Sequence, residues 1–290
     1  MTFTNTNMQA TLHSSNPKYQ LHIKQAINAQ RSQICTIPVM ALIAAWTMSI
    51  LLLALPNIII AQARFISSGK VEFEKKVNMH KLIEDNTWTR ELKERLPATR
   101  ITYYDLYFNA NQTLYKTGKA PAEDKWKNFW GASQDEENMT LQQLDAGLTQ
   151  AIKQVFERKY LLEDSLLAID WRITDETRDI AGFECRKAVG RLFDTLYVVA
   201  FYTDQIMVSG GPEGYHGLPG LILGLAFPRY YTTWFATKVE LAAPKPSELA
   251  LPNTGKLKKA TRAEIMTTVK TALRGDSEEE KQRTIWQIVL

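Results

Sequence analysis

The sequence predicts a mainly β chain with a few helices, α+β in class: a curved antiparallel sheet in the form of an open half-barrel, behind an N-terminal signal peptide. Three observations lead there. Aromatic residues are plentiful, with 7 Trp, 11 Tyr and 11 Phe, which favours strands over a helical bundle. Short runs of alternating apolar and polar residues recur along the chain, punctuated by glycine- and proline-bearing turns. The first 63 residues differ in kind from all that follow.

Residues 1–31 carry Lys18, Lys24 and Arg31 and no acid, and residues 32–63 carry no charge at all. Residues 37–60 are almost wholly apolar, and the run closes on Ala61-Gln62-Ala63 ahead of Arg64. A positive head, an apolar middle and a small-residue exit are the three parts of a secretory leader. The competing reading is a retained anchor, because a span needs roughly 20 apolar residues; Pro38 and Pro56 weaken a regular helix there. The long stretch before the apolar run also makes Met8 and Met40 candidate starts. The expected organisation is a signal peptide over 1–63, a β-rich domain over 64–241 and a charged, helix-leaning extension over 242–290.

Cleavage changes the charge argument. Of 35 Lys and Arg, three leave with the leader, so 32 face 31 Asp and Glu. The basic pI is then no sign of nucleic-acid binding. Of the two cysteines, Cys35 leaves as well, and Cys185 alone cannot form an internal disulfide. A buried small hydrophobe is its simplest role.

Along the body, Val71, Phe73 and Val77 share a period of two and predict a half-exposed strand. Residues 79–96 carry Leu82, Ile83, Trp88, Leu92 and Leu96 at helical spacing, with Pro97 as the stop. Residues 100–108 read as a strand, 109–112 as a turn and 113–116 as the returning arm of a hairpin. Residues 117–139 read as a packed loop holding Trp126, Phe129 and Trp130. Leu144, Leu148, Ile152 and Phe156 repeat every fourth residue and predict a helix over 141–158. Strands are expected over 160–169 and 171–174, then an antiparallel pair over 179–189 and 192–202 joined by Gly190-Arg191. Two more follow, over 218–227 and 230–241, before a proline-rich excursion and the charged tail from Lys256.

The densest motif is Gly211-Pro212-Glu213-Gly214-Tyr215-His216-Gly217-Leu218-Pro219-Gly220, running into Leu221-Ile222-Leu223. Glycine permits positive φ and close approach, proline restrains its neighbour, and the apolar run that follows reads as a buried strand. No Lys-Ser/Thr follows it, so it is not a nucleotide P-loop.

This motif, with the strand at 69–73, the block from Tyr104 to Lys116 and the run from Trp171 to Ala188, resembles the GLPGLI family of exported proteins of the Bacteroidota. The resemblance covers roughly residues 66–240. It implies secretion or a periplasmic home, a mostly antiparallel β fold and no established catalytic activity. The motif positions carried over are Trp171, Gly182, Cys185, Lys187, Gly211, Pro212, Gly217, Leu218, Pro219 and Gly220, with structural roles expected for each. The chain departs from the pattern at Glu213, where members often carry Trp, and at Met207, where Pro is usual after Ile.

Chemistry competes with packing at three places. Cys185 as nucleophile and His216 as base, oriented by Asp194 or Asp204, would make a thiol hydrolase. A metal site from His80, His216 and scattered acids lacks ligands at short spacing. The carboxylates Asp175 and Glu176 read as a solvated turn between strands, with Arg172, Arg178 and Arg186 nearby to pair with them. The resulting expectation is a non-enzymatic, exported binding or accessory module of the cell envelope. Its partner would be a hydrophobic or peptide ligand, or an outer-membrane or envelope protein. No cofactor, metal or nucleic acid is expected; the alternative is the Cys185/His216 hydrolase.

Overall fold

A computed structural model describes residues 66–131, 135–192, 196–275 and 277–289. The expected leader, with Met8, Cys35 and Met40, therefore lies outside the described residues, as does Asp194. Among the described residues no helix is long and apolar enough to cross a membrane.

Among the described residues twelve strands form one sheet: β1 (Gly69–Asn78), β2 (Thr99–Phe108), β3 (Gln112–Thr117), β4 (Met139–Gln143), β5 (Leu148–Val155), β6 (Arg158–Ser165), β7 (Asp170–Ile180), β8 (Phe183–Leu192), β9 (Leu196–Thr203), β10 (Leu221–Phe227), β11 (Thr232–Glu240) and β12 (Lys258–Ala260). Their order across the sheet is β12-β6-β5-β4-β3-β2-β1-β11-β10-β9-β8-β7. All neighbours are antiparallel except β12 with β6. The mainly β class holds, but the half-barrel does not. The end strands β12 and β7 do not pair with each other, so the sheet is open, and it is not strongly curled. Its two edges are blunted differently. β12 has three residues, while β7 is long but charged and exposed along almost its whole length, and both devices discourage edge-to-edge pairing.

Alternation explains the central strands. Val71 and Phe73 of β1, Tyr104, Leu106 and Phe108 of β2, and Trp234 and Ala236 of β11 bury their side chains. Register places Phe73 opposite Tyr104 and Lys75 opposite both Thr102 and Trp234, so the inward row of β1 continues from Val71 and Phe73 to Lys75 and Val77.

Several local expectations fail for identifiable reasons. Residues 141–158 form the β4–β5 hairpin instead of a helix. A spacing of four is also twice the strand period, and Gly147, at φ 67°, supplies the turn that the helical reading overlooked. The antiparallel pair expected about Gly190-Arg191 is present as β8 and β9, but Gly190 and Arg191 lie within β8 and are not its turn. A separate tight turn at Ala181-Gly182, with φ 51° and 85°, joins β7 to β8, the pair of positive φ values that a two-residue hairpin loop needs. Gly190 sits inside β8 because the Trp171 indole covers it: an added Cβ would meet that ring at 2.8 Å. Asp175 and Glu176 belong to β7, within a register shift between Ile173 and Thr177, and not to a turn.

The helix expected over 79–96 is broken into α1 (Met79–Leu82) and α2 (Thr87–Arg95), the latter started by an Asn86/Thr89 capping box. The loop at 117–139 contains α3 (Lys125–Trp130), whose Trp126 is buried and donates to the Pro97 carbonyl at 2.9 Å. The tail carries β12 and two helices, α4 (Arg262–Ala272) and α5 (Glu278–Val289). Ile265, Val269, Ile285, Trp286 and Ile288 from these helices join the same buried cluster as Val71, Leu106 and Leu225. At roughly 1.5–3 kcal/mol for each large apolar side chain buried, this tail contributes substantially to the core.

Candidate functional site

The segment between β9 and β10 builds the site. Gly211 is extended and buried, and a Cβ there would meet Ile222 Cβ at 2.7 Å, so only glycine lets this strand-like stretch lie against β10. Pro212 opens a short 3₁₀ turn, Pro212–Gly214, closed by the Tyr215 N–H donating to the Pro212 carbonyl at 3.0 Å. Glu213 within it has φ 55° and ψ 11°, a left-handed conformation that costs a non-glycine residue roughly 1–2 kcal/mol. Gln142 Nε2 of β4 donates to the Gly214 carbonyl at 2.6 Å, pinning the turn against the sheet. Strain of this kind persists only where surrounding contacts over-determine it.

That turn thrusts the Glu213 carboxylate, 9% exposed, to 3.6 Å from Lys75 Nζ. Lys75 also pairs closely with Asp135, and the Tyr104 hydroxyl donates to Asp135 Oδ2 at 3.0 Å. The Lys75 ammonium lies 4.7 Å from the Trp234 ring centre and 5.6 Å from that of Tyr104, within cation–π range. Trp234 Nε1 in turn donates to Tyr115 Oη at 3.1 Å, and Tyr115 stacks on Tyr104. Burial pulls the Lys75 ammonium towards neutrality, but the Asp135 and Glu213 carboxylates outweigh it and hold the group above its ordinary value. Burial, and then the same two acids, push the Tyr104 phenol well above its usual range.

Around this cluster opens a cavity of about 440 Å³, lined by Phe227, Trp234 and Trp286 among its apolar walls and by Lys75, Asp135 and Glu213 among its polar ones. Arg100, also on the wall, is already held by Asp124 at 2.7 Å and Glu136 at 2.8 Å. Two buried groups lining the cavity lack hydrogen-bond partners among the described residues: Tyr215 Oη and Trp286 Nε1. The size falls within the range of small-molecule sites, and the mix of aromatic walls with a few convergent polar groups is their usual lining.

The residues singled out from the sequence sit elsewhere. Cys185 is buried on β8, its Sγ directed at the Phe183 carbonyl 3.5 Å away. Burial, with Asp179 adding to it, pushes its thiol up to about 12; such a thiol carries no thiolate at neutral pH. His216 is half-buried, bonded through its ring to the Leu167 backbone, and burial lowers its proton affinity. Neither residue lines the cavity, and the groups acting on each do not include the other. Asp204 is exposed at the turn after β9. His80 contacts the Leu96 carbonyl at 3.0 Å, and no group of potential metal ligands occurs among the described residues.

The motif positions divide by what they touch. Trp171 covers Gly190 and donates from Nε1 to the His216 carbonyl at 2.8 Å, joining the β7–β8 hairpin to the glycine loop. Gly182 is the second residue of that hairpin's turn. Lys187 pairs with Glu176 at 2.8 Å across it. Gly217 bonds Ser209 Oγ through its N–H at 2.8 Å, Leu218 is buried and Pro219 is exposed. Gly220 has φ 155°, and a Cβ there would stand 2.0 Å from the Thr203 carbonyl oxygen, so no other residue fits.

Sequence reasoning missed Lys75, Asp135, Tyr215 and Trp234. One signal was present: Lys75 occupies the inward position between Phe73 and Val77, where an apolar residue was due. Glu213 stood out only as a departure from a family pattern.

A family model described as a protein of unknown function (Porph_ging) matches residues 191–224, from the end of β8 through the Glu213 turn into β10. No curated protein matches. Among solved structures, PNGF-II in its P21 and C2 crystal forms is similar at 16% and 15% identity, with TM-scores of 0.43 and 0.44. The likenesses cover 67% and 76% of this chain, but 31% and 33% of those chains, so this chain spans about a third of their length. An uncharacterized conserved protein from Thermus thermophilus is similar at 8% identity and a TM-score of 0.36, over 68% of this chain and 92% of that one. At such scores these likenesses carry no argument about site or activity.

Proposed function

We propose that this chain is a non-enzymatic binding protein whose ligand enters the cavity around Lys75 and Glu213. The observation that carries the reading is the cavity itself: about 440 Å³, walled by aromatics, with a buried ion-paired cluster and two unpartnered donors, Tyr215 Oη and Trp286 Nε1. A ligand with an apolar or ring-bearing body and one hydrogen-bond-accepting group matches that lining. The apolar part gains from leaving water, and the acceptor relieves donors that otherwise remain unsatisfied. A hydrophobic compound or a short apolar peptide end both fit this description.

The reading includes export to the cell envelope and kinship with the GLPGLI proteins, for which the tripartite residues 1–63 and the Gly217-Leu218-Pro219-Gly220 stretch are the support. A thiol hydrolase finds no comparable support, because Cys185 is buried and held protonated.

The test uses the fluorescent apolar probe N-phenyl-1-naphthylamine on the chain and on Thr102→Trp, which fills the cavity from β2. Saturable enhancement by the parent, weakened at least tenfold in a variant with an unchanged circular dichroism spectrum, is expected. No saturable signal, or equal binding by the filled variant, overturns the proposal. N-terminal sequencing of the cellular product tests export, with a start at Arg64 expected. A thiol reagent should leave Cys185 unmodified in the folded chain.

A further inference from the structure

A second, smaller cavity of about 30 Å³ lies on the other side of Glu213. Its floor is the inner face of β4, β5 and β6, where Thr140, Lys153 and Leu162 face inward; its cover is the Gly214-Tyr215 segment and Arg262, the first residue of α4. Three side-chain atoms around it are buried without a hydrogen-bond partner: Thr140 Oγ1, Tyr215 Oη and Arg262 Nε. Lys153 is 3% exposed and forms no ion pair among the described residues.

The donor inventory is one-sided. An ammonium and a guanidinium Nε can only donate, while the two hydroxyls can do either. Among the described residues Glu213 is the single acid on the wall, and its carboxylate is already shared with Lys75. Arg262 has Asp164 3.7 Å from Nη1, and its backbone N–H donates to the same carboxylate at 2.9 Å, but its Nε is left over. Two positive walls would repel a cation, and an apolar group would leave every donor orphaned.

A water molecule could donate to Glu213 or to a hydroxyl and accept from the cationic donors, but it would leave the Lys153 charge without a counter-ion. A small anion accepts from all of them, donates nothing and supplies the counter-charge that Lys153 lacks. The space exceeds the roughly 10–15 Å³ that a single water needs and so admits a small monatomic anion.

We propose that this cavity is a binding site for one small monovalent anion of the halide class. The two cavities share Glu213 and Tyr215 on their walls, but Thr140, Lys153 and Arg262 line only the smaller one, so variants at those residues separate this inference from the ligand reading of the larger cavity. The test follows thermal unfolding of the chain in sodium chloride and sodium bromide against sodium gluconate at matched ionic strength. A saturable rise in midpoint with either halide, absent in gluconate, is expected. Lys153→Met should abolish the saturable part, and Tyr215→Phe should weaken its half-point several-fold. If the lysine variant does not fold, Tyr215→Phe and Thr140→Val carry the comparison. Equal midpoints in halide and gluconate, or a halide response undiminished in the folded variants, overturn the proposal. Crystals grown in bromide give a direct reading: an anomalous peak beside Arg262 Nε supports it, and a water only overturns it.

Discussion

Lys75 and Lys153 both point inward from one sheet, on either side of Glu213, yet their surroundings act on them in opposite directions. Lys75 has two carboxylates within ion-pair reach and two aromatic faces against it, and its ammonium is held above the ordinary value despite burial. Lys153 has only the distant pull of Glu213 and Asp135, with Lys75 opposing them, and burial prevails, so its value falls. Burial alone does not decide what an interior lysine does. Whether a carboxylate reaches it decides, because Coulomb attraction in a low-dielectric interior grows steeply at contact distance, while burial disfavours the charge in both places.

The largest test of this contrast is Lys75→Met, which leaves Asp135 and Glu213 facing each other's charge without their shared cation. Urea unfolding should show a loss of about 3–5 kcal/mol, the usual cost of breaking a buried pair from one side. A loss under about 1 kcal/mol would mean that the cluster is solvated.

Glu213 comes next, since two effects meet in it. Glu213→Ala should cost about 1–3 kcal/mol by removing one of two acids from Lys75. Glu213→Gly should cost about 1 kcal/mol less than the alanine change, because glycine accepts φ 55° without strain. Equal losses would remove backbone strain from the account.

Lys153→Met should behave oppositely to the change at Lys75. In halide-free buffer it should raise stability by about 1 kcal/mol or more, because a buried cation without a close partner is replaced by an apolar chain of similar length. A loss comparable to that at Lys75 would reveal a counter-charge at its ammonium.

The smallest effects concern pH. Lys153 binds its proton less tightly folded than unfolded, so the unfolded chain holds more protons and stability rises as pH climbs towards about 10.4. Lys75 binds its proton more tightly folded, so its contribution is complete below about 10.4 and is lost as pH rises through the higher folded value. The stability difference between parent and Lys153→Met should therefore move in the parent's favour as pH climbs towards about 10.4, while that for Lys75→Met stays flat until pH passes that value. Parallel curves for the two variants would contradict the contrast.

How much of this was legible in the chain can be judged residue by residue. The inward row Val71, Phe73, Lys75, Val77 was readable from its period alone, and so was the β2–β3 hairpin with its turn at residues 109–112. The β4–β5 hairpin was not, because apolar residues four apart satisfy a helix and a strand equally. That misreading hid Lys153, which a strand places on the same inward face as Thr149, Ala151 and Val155. Asp135 carried no local signal at all. It meets Lys75 from 60 residues away, and pairing at that separation depends on strand order, which periodicity does not encode.

Local chemistry by itself determined the β character of this protein, the positions at residues 211, 217 and 220 that call for glycine, and an unexplained charge within an apolar row. Tertiary structure decided which strands became neighbours, that the sheet stayed open, and that a helical tail would complete its core. It also decided that one interior lysine would meet two acids and the other none. The reason is physical: backbone sterics and side-chain alternation act between adjacent residues, whereas the cost of an interior charge depends on what the rest of the chain brings within a few ångströms of it.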